Sequence, residues 1–494
     1  MRILSLTIEG YKMFNPSQKI NLGKDLNLLI GINGSGKSTI LEAIAIIFDE
    51  VKNYCNEPKI YERKFNFSIE YTFNKSTIIE ETSTTQNSKL SIHNVFLSSS
   101  KESGLQYTMS VDGKIIKTVK EMFQFLPDNL IFYYAGACET LEEIIDNVEE
   151  KQLEKLRNLS NENNIQKVIE HISKNIIYIK KEHFPILFLL NYIEQKMELP
   201  FSKKKFTIRH ISFEYQQYRF TKSNDNKNLF NLSGQLRKFV DNLIKHTFNG
   251  VEFDEESNTS YFNIEYHRGL FEAVEELENL TDDQKYNQTK IILFHYISLL
   301  FNIGFLKKIH VALNDEKGSI YTIDDLSEGE QQLIILESIK KNLCRLNTVL
   351  FLDEPDAYLH PQRQREILPY LKKIFNESYT QIIATSHSPF VAQSIEKENI
   401  LIFNNSGKYK TNEDEILTQA TINNELFGIE SEYSIEIEDK IKKFQDLVNK
   451  IQLKKTEITE EFYMLRDELN YYGEATRFIT SFEVRKLISN GFQI

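Results

Sequence analysis

The chain has 494 residues, more than one hydrophobic core usually serves, so roughly two or three folding units are expected. With 41% hydrophobic and 26% charged residues and 9 prolines, its composition is that of a globular protein and excludes a disordered or fibrous one. The net charge is −12, but Thr411–Lys440 holds nine acids against one base; that leaves −4 elsewhere, so a local basic groove for nucleic acid is permitted rather than demonstrated.

The first elements read as strand, turn, strand, loop and helix. Ile3, Leu4, Leu6 and Ile8 give a strand pattern, and Leu26-Asn27-Leu28-Leu29-Ile30 is an apolar run of the buried parallel kind. After Gly31–Thr39 come Ile40, Leu41, Ile44, Ile47 and Phe48 at helical spacing. From Phe65 to Val119 short β segments alternate with turns, clearest at the hairpin around Asp112-Gly113, and predict an antiparallel lobe.

Between Leu141 and Phe305 the pattern is mostly helical, including Ile165–Lys180, Leu236–Phe248 and Ile291–Phe301. Buried strands return at Thr348–Leu352, Gln381–Thr385 and Asn399–Phe403, so the core is split in sequence. The division expected is 1–140 for the first part of an α/β core with its antiparallel lobe, 141–305 for a helical insertion, 306–410 for the rest of the core, and 411–494 for an acidic, helical segment. In that last segment Ile437, Ile441, Phe444, Val448, Ile451, Ile458, Phe462, Leu465 and Leu469 form a heptad-like stripe, broken where Lys455 enters the seam. It serves either a partner or its own domain.

The longest aliphatic stretch, Phe184–Tyr192, is too short to span a bilayer, and the start lacks a secretory signal pattern, so a cytoplasmic protein without membrane contact is expected. Cys55, Cys138 and Cys344 have no metal or disulfide spacing and are expected to be buried free thiols.

Four motifs carry chemistry. Gly31 to Ser38 matches the phosphate-loop pattern G-x-x-x-x-G-K-[ST] between a strand and a helix. Backbone around Asn33, Gly34, Ser35, Gly36 and Thr39 would cradle phosphates, Lys37 would reach the β and γ phosphates of ATP, and Ser38 would give a hydroxyl to Mg²⁺. Phe351-Leu352-Asp353-Glu354-Pro355 ends an apolar strand in two carboxylates: Asp353 to hold Mg²⁺ through water, Glu354 to polarise the attacking water as general base. In Leu326-Ser327-Glu328-Gly329-Glu330-Gln331-Gln332, Ser327 and Glu330 form a capping box; the same helix start with Gly329 is also an anion site. His387, in Thr385-Ser386-His387-Ser388-Pro389, follows a strand and fits a γ-phosphate sensor, although a lone histidine is more often structural.

Taken in this order, GINGSGKST, LSEGEQQ, FLDEP and ATSHSP resemble the ABC-type ATPases of the SMC, RecF and OLD group. The resemblance implies a mixed sheet with an antiparallel lobe, split by an insertion. It also implies a head-to-tail dimer or higher homo-oligomer in which Ser327 of one copy serves ATP held by Lys37 of another. Leu352-Asp353-Glu354-Pro355-Asp356-Ala357-Tyr358-Leu359-His360-Pro361, with Tyr133-Tyr134-Ala135-Gly136 upstream, is similar to anti-phage defence ATPases of the Septu type, also found with some retrons. On that likeness Asp356 lies in a loop facing the partner copy's site.

No residue is assigned to the family's Mg²⁺-shell glutamine. The stretch between Ser38 and Ser327 is too short and irregular for long coiled-coil arms, and the residues after Phe403 read as helical rather than as a toprim nuclease. The expected role is that of an ATP-switched sensor or regulator beside a separate HNH-type nuclease, with DNA left open as a partner. A RecF-like DNA-repair clamp and a nucleotide-locked scaffold are the alternatives; Glu354 speaks against the scaffold, which needs no base.

Overall fold

Apolar runs without polar alternation belong in strands covered on both faces, and Leu26–Gly31 (β3) is buried at every residue. The computed structural model describes all residues except 33, 60–62, 80–86, 100–105, 135–138, 159–174, 193–196, 199–204, 217–231, 233, 255–258, 265–268, 279–281, 358, 376–379, 405–407, 412–433, 455–457 and 493–494. Around β3 stand Asn129–Tyr134 (β8), Asn175–Ile179 (β9), Thr348–Asp353 (β16), Gln381–Ser386 (β17), Ile400–Phe403 (β18) and Tyr409–Thr411 (β19). They form one sheet in the order β19-β18-β3-β17-β16-β8-β9, parallel except for β19. Asp353 pairs with Thr385 and Ile30 with Ser386. The C-terminal ends of β3, β16 and β17 therefore lie along one edge, where open α/β sheets bind ligands.

A second sheet is antiparallel, made by Arg2–Glu9 (β1), Gln18–Asn21 (β2), Asn66–Ile79 (β4), Asn87–Ser99 (β5), Tyr107–Val111 (β6) and Lys114–Ile115 (β7), in the order β2-β1-β4-β5-β6-β7. The expected hairpin joins β6 to β7, with Asp112 and Gly113 both left-handed at φ 49° and 77°. The helix Lys37–Asn56 buries Ile40, Ile44, Ile47 and Phe48 in one core with Ile69 and Leu97 of this lobe and Phe351 and Ile383 of the parallel sheet. This is the mixed α/β ATPase core with an antiparallel lobe that the motifs imply.

Among the described residues of the insertion more lie in helices than in strands, but the sequence reading missed its sheet. Met197–Glu198 (β10), Lys205–Gln216 (β11), Thr247–Asp254 (β12) and Thr259–Ile264 (β13) join Leu306–Asp315 (β14) and Ile320–Thr322 (β15) in the order β12-β13-β11-β14-β15, with β10 on β11. The helix expected over 165–180 is corrected at its end. Asn175–Ile179 is β9, whose β-branched and aromatic residues enter the core sheet beside β8; the preceding ten positions lie outside the described residues. Phe184–Tyr192 is a buried helix, and among the described residues no helix is long and apolar enough to cross a membrane. Cys55 and Cys344 form no disulfide and are only partly buried, and Cys138 lies outside the described residues.

Residues 1–416 and 417–494 form separate compact units. In the second, the helices Ile435–Lys454, Glu460–Tyr471 and Glu474–Ser489 close on Phe444, Val448, Ile451, Phe462, Leu469 and Leu487. Phe444 and Phe462 stack with ring centroids 5.0 Å apart, and Lys440 binds Glu436, Glu468 and the Tyr472 hydroxyl at 2.7–2.8 Å. The heptad-like stripe thus packs on its own unit and is not an open face for another chain; Lys455 lies outside the described residues.

One buried acid in the insertion sets a pH dependence. Glu149 sits on the helix Glu139–Asn158 with Oε2 buried and without a hydrogen-bond partner, and burial pushes its pKa up to about 8. A folded pKa above the unfolded value gives stability that is complete below about pH 4.5 and is lost as pH rises through about 8. Glu149→Gln is therefore expected to stabilise the protein by about 2 kcal/mol at pH 8 and hardly at all at pH 4.5. His183 and His295, whose pKa values burial lowers to about 3, weaken the fold as pH falls below about 6.5. They do so in parent and variant alike, so the difference in urea midpoints isolates Glu149. Equal gains at both pH values would contradict this assignment.

Candidate active site

A strand ending at a sheet edge and a helix starting beside it both leave backbone N–H groups unpaired, which suits an anion. Gly31, at the end of β3, and Gly36, capping the helix Lys37–Asn56, have φ of 152° and 93°. A side chain at Gly31 would strike the Phe403 carbonyl, so that position needs glycine for space as well as conformation, whereas at Gly36 it would meet the movable Met13 thioether and the positive φ is the requirement. Ser35 is buried, Gly34 exposed, and Ser38 and Thr39 half-buried; Asn33 lies outside the described residues.

The buried Lys37 ammonium donates to the carbonyls of Gly31 at 2.9 Å and Ile32 at 3.1 Å and to Ser35 Oγ at 3.4 Å. Burial lowers its pKa to about 8 against the pull of Asp353 and Glu354. Ser38 Oγ donates to Asp353 Oδ1 at 3.3 Å, and the Thr385 hydroxyl donates to the same oxygen. Asp353 is buried, which raises its pKa; the bonds from Thr385 and Ser38 oppose that rise. A hydroxyl and a carboxylate set side by side are hard oxygen donors, so Ser38 and Asp353 fit Mg²⁺.

Glu354 has φ 52°, a left-handed conformation rare for a side-chain-bearing residue, and its N–H donates to Thr385 O at 3.2 Å and Oγ1 at 3.1 Å. Its Oε1 lies 3.4 Å from His387 Nε2. Burial, followed by the charge of Lys37, lowers the His387 pKa and favours the neutral ring. Lys37, Ser38, Asp353, Glu354 and His387 thus gather at one sheet edge, from three strand ends and a helix start.

Asp356 lies in the loop that follows Glu354. Its side chain turns inward, 5% exposed, bonded to the Ser386 side chain and with Oδ1 unpartnered; burial raises its pKa to about 6. With Glu354, Gln364, His387, Ser388 and Phe390 it lines an open pocket of about 340 Å³ beside the general-base candidate of its own chain. Ser327 and Gly329 belong to the helix Glu328–Ser338, whose capping box is complete. Ser327 Oγ accepts from Glu330 N at 3.3 Å, and Glu330 Oε2 accepts from Ser327 N at 3.1 Å. Among the described residues, the hydrogen bonds of Ser327 run within this box rather than to the phosphate loop.

Three further residues shape the site. Thr385 binds both Asp353 and Glu354, and its place opposite Asp353 follows from pairing two motif strands in parallel. Gln364 donates to Asp356 O at 3.2 Å and accepts from Ser388 Oγ at 2.7 Å. Gln332 donates through Nε2 to the Pro355 carbonyl. Neither glutamine stands out by spacing, because its partner comes from another element.

A family model described as an AAA ATPase domain matches residues 1–392. The chain is 23% identical over 441 residues to the retron Vc95 probable ATPase of Vibrio cholerae serotype O1 biovar El Tor, covering 82% of this chain and 74% of that protein. It is 23% identical over 205 residues to the retron Ec83 probable ATPase of Escherichia coli, covering 38% of this chain and 37% of that one. Among solved structures, the SMC head domain from Thermotoga maritima is similar at 12% identity over 84% of this chain and 100% of that chain. Its TM-score is 0.33, at which the likeness carries no argument.

Proposed function

Since the chain belongs to the AAA ATPase domain family and is an ATPase, we propose that two copies share each ATP and that the pair acts as the switch of an anti-phage complex of the Septu and retron type. The observation that carries this reading is the chain of contacts from Ser38 through Asp353 and Thr385 to Glu354 and His387.

Lys37, already among oxygen acceptors, binds the β and γ phosphates in the cradle of Gly34–Thr39, Asn33 included. Ser38 and Asp353 hold Mg²⁺, which when bound neutralises phosphate charge. Glu354 takes the proton of the attacking water. His387, held neutral within reach of Glu354, senses the γ-phosphate end. Ser327 and Gly329 sit on an exposed helix start and serve ATP held by a second copy, in a head-to-tail dimer. Asp356 lines the pocket beside the base, in the loop that meets the second copy in such a dimer.

Both named relatives bear retron designations, which supports the retron part of this reading; the effector it calls for is a separate HNH-type nuclease. One experiment tests the reading. Lys37→Ala and Ser327→Arg proteins are each inactive, but an equimolar mixture contains dimers with one intact shared site and regains ATP turnover, while added plasmid DNA stays uncut. Proven subunit mixing without recovery would remove the shared site, and metal-dependent cleavage by the purified chain would remove the separate nuclease.

A further inference from the structure

A buried amide bonded between two segments makes them move together, whereas one that only fills space can be replaced by an apolar side chain. Gln332 is 1% exposed on the helix Glu328–Ser338 and donates to the carbonyl of Pro355, while its Oε1 is buried without a partner. Packing alone does not require that uncompensated acceptor. We propose that Gln332 couples the two shared sites of the dimer, joining in each protomer the helix that serves one ATP to the loop that activates water at the other. The proposal rests on the shared-site reading above.

The loop at Glu354–Asp356 is held from three sides. Thr385 binds the Glu354 N–H, Gln364 binds the Asp356 carbonyl, and Gln332 binds the Pro355 carbonyl between them. The first two anchors come from β17 and the helix Pro361–Phe375 of the same core. The third comes from a helix whose first residues, Ser327 and Glu328, are exposed and, on the shared-site reading, meet the second copy. Pro355 has a ring-fixed φ, which removes one of the two backbone rotations that could absorb a shift of its carbonyl before it reaches the adjoining Glu354. Glu354 already occupies a left-handed conformation, a sparsely populated region in which small displacements redirect its carboxylate. When the helix start engages the partner's ATP, the pull on Pro355 sets the Glu354 carboxylate for its own ATP.

Gln332→Met and Gln332→Leu keep close to the volume and remove the donor, whereas a carboxyl buried there would take up a proton and donate in place of the amide. Phosphate release measured against ATP concentration is expected to be sigmoidal in the parent and hyperbolic in both variants, the Hill coefficient falling to about 1. Half-saturating ATP stays close to the parent's while kcat drops about tenfold, a split that loss of packing would not produce. Thermal melts confirm folding, and the Leu variant carries the test if the Met variant unfolds. The mixture of Lys37→Ala and Ser327→Arg is run alongside. Recovery in the mixture with an unchanged Hill coefficient in both Gln332 variants, or a parent coefficient of about 1, overturns the coupling alone. No recovery removes the shared site and the coupling with it.

Discussion

In Glu354→Gln protein, steady-state phosphate release is expected to fall about 10²–10⁴-fold while ATP still binds. The amide keeps the length of the side chain, and nothing in the exchange disturbs the left-handed backbone or the two bonds from Thr385 to the Glu354 N–H. What it removes is the proton acceptor. ATP therefore persists in a formed site, and dimers trapped before hydrolysis accumulate, measurable as an ATP-dependent shift in size-exclusion chromatography. Turnover near that of the parent would take the general-base role from Glu354 and turn attention to His387, 3.4 Å away.

Lys37→Ala is expected to weaken ATP binding about 10²–10³-fold, because the variant leaves buried phosphate charge without its partner. Titration of a fluorescent ATP analogue measures the loss. The same change should not unfold the protein. Burial lowers the Lys37 pKa to about 8, the mark of an ammonium that costs free energy to hold there. The thermal midpoint without nucleotide should stay level or rise, which separates a lost ligand contact from a lost fold. Affinity close to the parent's would assign the phosphates to another cation.

The parallel core was legible because its strands are apolar on both faces: β3, β16 and β17 could occupy only the middle of a covered sheet. The site was legible at Lys37, Ser38, Asp353 and Glu354 because phosphate and metal chemistry demands those residue types at strand ends. What was hidden depends on partners distant in sequence. Asn175–Ile179 becomes a strand because β8 offers it an edge, and nothing within its five residues identifies that edge. The Asp356 side chain turns inward to Ser386 while Gln364 holds its backbone carbonyl, both from other elements. The stripe from Ile437 to Leu469 announced a buried face, but period alone does not say what buries it; Leu487 of the last helix does so.

The position of β3 between β17 and β18 bears on how the protein is made. Its edges are filled only by Gln381–Ser386 and Ile400–Phe403, and Gly31 packs directly on the Phe403 carbonyl. At about 5–20 residues per second, a ribosome needs roughly 20–70 s after finishing the phosphate loop to deliver that floor. For this interval the emerging chain carries an apolar strand with both edges bare and a nucleotide loop with no base beneath it, a strong claim on chaperones. A translation product that stops before Phe403 lacks this floor, and such a fragment is expected to hold ATP poorly.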